Sequence, residues 1–287
     1  VVNWEWEGEE IKGRINPASG NPYSNVWLLK STEKEYFFRP GLTWTVRARR
    51  FNPWPFPAGS MFSHRAYTAF VWPVGSGSLL QTYSVLNSAL WDYLFRMMLG
   101  RFGHPEYLVG VAQKLPYPTG EVPQTSLAER AIDSGIESSG YDETSKTFRP
   151  SFCSMPHFGW NSPEVVDRGG LQSQFDNLGY SLYGVGKDVE DEVAWFTAER
   201  SGDDSETNTE DLETKETEAL TTISGPLSLA SFLLGCVFGR WDLRLATGER
   251  SIPGLPDPFD PLPVCSLGML QDEDGLPLRS TREDCSL

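Results

Sequence analysis

Residues 188–218 hold 13 Asp+Glu against 2 Lys+Arg, and residues 201–211 contain no aliphatic side chain. A stretch of that composition cannot bury enough apolar surface to offset the entropy of ordering it. It is expected to be a flexible acidic linker, with folded parts on either side rather than one continuous core along the 287 residues. The charge divides in the same way. Residues 1–120 carry 12 Lys+Arg and 8 Asp+Glu, a net of +4, whereas residues 121–287 carry 12 and 31, a net of −19. The overall −15 therefore conceals a basic region, and binding follows the local field rather than the overall pI.

The basic region centres on RPGLTWTVRARRFNPWPFPAG, residues 39–59, which sets four arginines among aromatics and prolines. At a period of two, Thr43, Thr45, Arg47 and Arg49 fall on one side and Trp44, Val46 and Ala48 on the other. That alternation predicts a half-buried strand with a cationic outer face. Such a face suits a phosphate backbone or base edges better than a small metabolite. A solvated surface of ordinary charge would look the same by composition alone.

Residues 1–72 read as β-rich: WEWEGEEIKGRI, NVWLLK, EYFFRP, TWTVRARRF and RAYTAFVW are separated by Gly, Pro and Asn turns. Residues 79–100, LLQTYSVLNSALWDYLFRMMLG, repeat apolar side chains at helical spacing. They predict one helix capped by Ser78, stopped by Gly100 and Gly103, and cored by Val85, Leu86, Ala89, Leu90, Tyr93, Leu94, Met97 and Met98. YLVGVAQKLPYP, residues 107–118, reads as a short strand. SLAERAIDSGIESS and GGLQSQFDNLGYSLYGV read as amphipathic helices, followed by KDVEDEVAWFTAER. PLSLASFLLGCVFGRW is an apolar helix with Pro226 in its first turn. Its apolar stretch is short of the roughly 20 residues needed to cross a bilayer. The fold expected is α+β: a β-rich platform with flanking helices, then a mostly helical extension and a proline-rich irregular tail. The expected divisions are 1–120, 121–200 (helical), 201–224 (acidic linker), 225–250 (apolar helix) and 251–287, the last an incomplete segment.

No self-contained catalytic constellation stands out. Cys153, Cys236, Cys265 and Cys285 form no CxxC pair, and His64, His104 and His157 stand apart. A reduced, cytoplasmic protein without structural metal is expected. VVNWEWEGEE opens the chain with no secretory signal pattern and no initiator methionine, the latter suggesting a fragment. Gly75–Ser78 and Gly184–Lys187 are too short for phosphate-binding fingerprints. Gly179-Tyr180-Ser181 opens like a nucleophile elbow, but its second glycine falls one place late.

Several segments, in their order, resemble a known family. YFFRPGLTWTVRARRFNPWPFPAGSMFS (36–63) resembles the target-recognition region of adenine-specific DNA methyltransferases, those of type IIG restriction-modification and BREX phage-defence (PglX-like) systems. LLQTYSVLNSALWDYLFRMMLG is similar to the helix that follows in that family, and YLVGVAQKLPYP to the segment ending the region. FDNLGYSLYGV (175–185) and LASFLLGCVFGRWDL (229–243) resemble later helices. Together these cover roughly a third of the chain.

The resemblance implies transfer of a methyl group from S-adenosylmethionine to the exocyclic amine of adenine, on a base extruded from the duplex. It also implies a catalytic tetrapeptide (Asn/Asp/Ser)-Pro-Pro-(Tyr/Phe) and a glycine-containing cofactor loop, neither of which is present here. Asn21-Pro22-Tyr23-Ser24, Asn52-Pro53-Trp54-Pro55 and Asn161-Ser162-Pro163 each depart from the tetrapeptide. No catalytic or cofactor-binding residue is carried over. The chain is expected to be the C-terminal, specificity-determining part, inactive alone, with the S-adenosylmethionine site in its missing N-terminal methyltransferase domain. Double-stranded DNA, that domain and other defence-system subunits are the expected partners, with no membrane and no metal.

The candidate DNA contacts are Arg39, Arg47, Arg49, Arg50, His64, Arg65 and Lys114. Arginine forks onto guanine O6 and N7 or clamps a phosphate. One or two of these arginines are expected to pair with Glu33, Glu35 or Asp92 instead. Trp44, sharing a side with Val46 and Ala48, is expected in the core, and Trp54 is a possible stacking surface. Two competing classes are a tryptophan-rich carbohydrate-binding module and a protein-interaction subunit acting through the acidic tract.

Overall fold

The computed structural model describes residues 5–21, 23, 30–63, 66–71, 76–100, 106–118, 125–140, 143–148, 167–202, 225–247, 249–251, 254, 257–272 and 275–278. They form an α+β protein of helices and a small antiparallel sheet. The chain gathers into two compact units of non-contiguous segments. The first takes Val1–Ala128, Gln172–Val193 and Pro258–Pro261, and the second Glu129–Leu171, Ala194–Asp257 and Leu262–Leu287.

In the first unit, strands β1 (Gly41–Thr45), β2 (Trp54–Phe56) and β3 (Ala66–Ala69) pair antiparallel in the order β2-β1-β3. Thr43 stands opposite Trp54 on one side and Thr68 on the other. Leu42 and Trp44 are buried while Thr45 is exposed, the half-buried alternation expected of this strand. Its regular pairing is shorter than expected, because it ends at Thr45 and Arg47 makes only an isolated bridge to Glu106. Exposure still alternates past the strand end: Arg47 and Arg49 are exposed, and Val46 and Ala48 half-buried. Trp44, Phe51, Phe95 and Tyr107 form the aromatic core beneath, with Phe51 stacked on Phe95 at 5.5 Å and Phe95 edge-on to Tyr107 at 5.1 Å.

Four sequence expectations are corrected here. Residues 5–12, expected to be extended, belong to helix α1 (Glu5–Gly13), where a run of Glu, Ile and Lys with good helix propensity outweighs the tryptophan alternation. EYFFRP is a turn after helix α2 (Ser31–Lys34): the Glu33 carboxylate accepts the Lys30 amide at 2.5 Å and fixes the helix start, and the Tyr36 and Phe37 amides then fold back onto the Glu33 and Lys34 carbonyls, each at 3.1 Å, before Pro40. The single helix expected over residues 79–100 is two, α3 (Ser76–Leu86) and α4 (Ala89–Leu99). Asn87 returns its side-chain amide to the Tyr83 carbonyl, and Ser88, extended at ψ 146°, accepts the Trp91 amide. The break rotates α4, so Trp91, Asp92, Phe95 and Arg96 are buried and Met97 and Met98 exposed. Gly100 ends α4 in the left-handed conformation, as expected. Finally, YLVGVAQ forms a single helical turn, α5 (Val109–Ala112), rather than a strand. Glu106 and Tyr107 have already used their pairing with Val46 and Arg47.

Helices α6 (Ser126–Ser139) and α7 (Arg168–Tyr183) occupy the two amphipathic segments, and α8 (Lys187–Gly202) the charged one after Gly184. In the first unit, Ala89, Leu90 and Val193 pack with Tyr180, Tyr183 and Val189. In the second, α9 (Gly225–Val237) carries the apolar segment and is followed by the short α10 (Arg244–Thr247). Phe148, Phe232 and Trp241 make the local core. Gly235 is required there, since a Cβ would lie 2.1 Å from the Trp241 ring. No helix among the described residues is long and apolar enough to cross a membrane. Ser78, expected to cap the helix, lies inside α3, whose first turn begins at Ser76. Residues 203–224, most of the expected acidic linker, lie outside the described residues, as do NVWLLK from 25 to 29 and the stop at Gly103.

Candidate nucleic-acid interface

A cleft of about 670 Å³ opens in the first unit where β1, β2 and the segment after β1 meet α7. Small side chains, Ala48, Ala66 and Thr43, form part of its wall. Trp54, Arg49, Arg50, Asn52 and Gln172 supply the aromatic, cationic and amide groups. None of its lining residues, among those described, is acidic.

Trp54 lies between Pro53 and Pro55 on edge strand β2, the position in a sheet where proline is tolerated. Pro55 excludes the helical region for Trp54, and Pro53 has a fixed φ. Both prolines are buried, while the tryptophan between them is 37% exposed. The ring is thus presented from a backbone with little freedom.

The arginine segment is held by a buried network. Asp92 Oδ1 accepts the Phe51 amide at 3.0 Å and the Tyr107 hydroxyl at 2.6 Å. Arg96 pairs with Asp92 through Nε at 3.2 Å, and its Nη2 donates to the Tyr107 hydroxyl and to the Arg49 carbonyl. Trp44 donates its indole N–H to the Tyr107 carbonyl at 2.8 Å. Burial pushes the Tyr107 hydroxyl well above the ordinary phenol range, and the neighbouring Asp92 charge adds to it. Tyr107 therefore stays neutral and can both donate and accept.

A second network builds the α7 wall. The Asn87 carbonyl, at the α3–α4 break, accepts from Arg50 at 2.7 Å and from Gln172 at 3.1 Å. Asp176 accepts from Gln172 at 2.6 Å and from the Ala89 amide at 2.7 Å, capping α4 from another helix. Its carboxylate also lies 3.7 Å from Arg50. Gly179 permits the close approach, because a Cβ there would sit 2.7 Å from Ser88 Cβ.

Of the residues singled out from sequence, Arg49 and Arg50 meet at the cleft. Arg50 is half-buried and committed to Asn87 and Asp176. Arg47 is exposed and paired with Glu106 at 2.6 Å, so the expected arginine–carboxylate pairing occurs, but with Glu106 and Asp176. Asp92 pairs with Arg96 instead. Arg39 lies before β1 with its guanidinium 5.3 Å from the Tyr36 ring centre. Lys114 is exposed beyond α5 and does not line the cleft. His64 and Arg65 lie outside the described residues. Sequence reading missed Gln172, which no local pattern connects to Asn87. It also passed over Asn52 except as part of a failed catalytic string. Among the described residues, no group of three or more His, Cys, Asp or Glu is placed to hold a metal ion. Comparison of the chain with models of known protein families and with curated proteins gives no match.

Proposed function

We propose that this chain is the DNA target-recognition part of an S-adenosylmethionine-dependent, adenine-specific DNA methyltransferase of a restriction-modification or phage-defence system. The observation that carries it is the cleft beside β1, with arginine, amide and aromatic groups and no acidic lining residue, in a chain of net charge −15. The five resembling segments, in family order, support the same function. In this proposal the platform sits against a duplex, Arg49 and Arg47 meet phosphates or guanine edges, and methyl transfer belongs to a catalytic domain outside this sequence. The Arg47–Glu106 pair is no obstacle. Exposed ion pairs contribute only about 0–1 kcal/mol, so a phosphate can replace the carboxylate.

The test is a salt series of duplex binding. If Arg39, Arg47 and Arg49 each neutralise one phosphate, the slope of log K against log[salt] is about −2.7, and affinity falls about 40-fold between 50 and 200 mM salt. Replacing Arg47 and Arg49 with Gln brings the slope toward −1. Duplex affinity indifferent to salt contradicts DNA binding. Salt-indifferent binding of an oligosaccharide in its place would favour a carbohydrate module.

A further inference from the structure

We infer that the cleft at Trp54 is a seat for a single unpaired nucleotide, bordered by Arg49, which it shares with the exposed arginine row that would follow a paired duplex. The inference rests on the DNA-binding function proposed above and specifies the ligand chemistry of that site. Its volume, about 670 Å³, lies within the range of sites that enclose small molecules. That is more than a side chain reaching a groove needs, and the wall beside it is made of small residues, Ala48 and Ala66.

The groups around this space match the parts of a nucleotide. Trp54 offers an exposed indole, and its flanking prolines remove most of the backbone freedom that stacking would otherwise cost. A base inside a duplex has both faces covered by its neighbours, so only an unstacked base can use this surface. Arg49 supplies positive charge for the phosphate, and the Asn52 and Gln172 amides line the same space. Gln172 spends its amide nitrogen on Asn87 and Asp176, which fixes the side chain and leaves its carbonyl oxygen as the acceptor for a base N–H. The carbonyl of Arg49 is itself held by buried Arg96, so cation and ring are both mounted on fixed backbone. A neutral sugar would also stack on an indole, but it has no anionic group for the guanidinium to pair with.

The full-length chain is tested with a short duplex carrying a single-nucleotide 2-aminopurine bulge, against the same duplex fully paired, at one fixed salt concentration. The bulged duplex is expected to bind about 5- to 150-fold tighter, the worth of one base stacked on an aromatic side chain, with 2-aminopurine fluorescence quenched on binding. Trp54→Ala abolishes both the preference and the quenching, with the far-ultraviolet circular dichroism of the folded protein retained. Trp54→Phe retains part of each. Equal affinity of the native protein for the two duplexes, or a preference that survives Trp54→Ala, overturns the nucleotide seat while leaving duplex recognition standing. Binding of neither duplex overturns both. Free deoxyadenosine monophosphate that displaces the bulged duplex at its own low affinity supports the seat. Displacement by an uncharged oligosaccharide overturns it.

Discussion

In the first unit, Asp92 and its partner Arg96 are both shut away from water, at 5% and 1% side-chain exposure. In the second, the equally buried Asp242 is held at 2.8 and 2.7 Å by Arg244 and Arg250, whose side chains stay 46% and 26% exposed. One arrangement dehydrates both charges and the other only the carboxylate. The first therefore depends on every donor finding an acceptor, and Arg96 meets that demand by reaching Tyr107 and the Arg49 carbonyl. The cleft segment is a by-product of that demand. A buried guanidinium needed acceptors, and the backbone bearing the exposed arginines supplied one.

Four measurements would sharpen or break this contrast. The largest effect is expected for Arg96→Met, which strands a buried carboxylate. It should cost about 3–5 kcal/mol in denaturant unfolding of the first unit, and a loss under 1 kcal/mol would mean the pair is hydrated after all. Asp242→Asn leaves its arginines in contact with water, so about 1.5–3 kcal/mol is expected. A loss equal to that of Arg96→Met would erase the distinction.

The two units should also part company with pH, followed by hydrogen exchange resolved by segment. For Asp242, burial raises the carboxyl, but hydrogen bonds from Arg244 and Arg250 prevail and hold it below the usual range. Its contribution is present above about pH 3.9 and is lost as pH falls through the depressed value. Tyr107 runs the other way. Its raised hydroxyl favours the neutral form in the fold, so its contribution is intact below about pH 10 and is lost as pH rises through the native value. Acid should loosen the Asp242 region, and alkali the Tyr107 region. Tyr107→Phe should weaken the alkaline limb, leaving the share of the Tyr83 and Tyr183 hydroxyls, which burial also raises; a limb that is unchanged would place it wholly on those two.

The smallest effect belongs to Arg47→Gln. Its pairing with Glu106 is solvent-exposed, so stability should change by no more than about 1 kcal/mol. A larger loss would show that the isolated bridge anchors Glu106 and Tyr107.

Helices α6, α7 and α9 were legible because their apolar residues are carried within each segment, and the αL stop at Gly100 because glycine alone suits it; α8, a charged helix with little apolar stripe, and the four-residue α10 were not. Trp44 was placed inward by its side of the strand. What could not be read was non-local. The division at Asn87-Ser88 depends on Asp176 capping α4 from 87 positions away. The strand stops at Thr45 because Val46 bonds Tyr107 across more than a helix of intervening chain. Trp54 was noticed as a stacking surface, but its cleft needs Gln172, and nothing in the local sequence links the two. A buried Arg96 is also invisible to periodicity, which reads every arginine as solvent-facing.

The cleft's two sides also leave the ribosome at different times. Gln172 follows Asn52 by about 120 residues, which at roughly 5–20 residues per second means an interval of about 6–24 s. During it, the sheet can pair and Arg96 can reach Arg49, while the α4 N-terminus still lacks Asp176 and Arg50 still lacks its carboxylate. The arginine segment is thus synthesised well before the helix that restrains it, and the nascent chain passes through a more cationic stage than the finished protein.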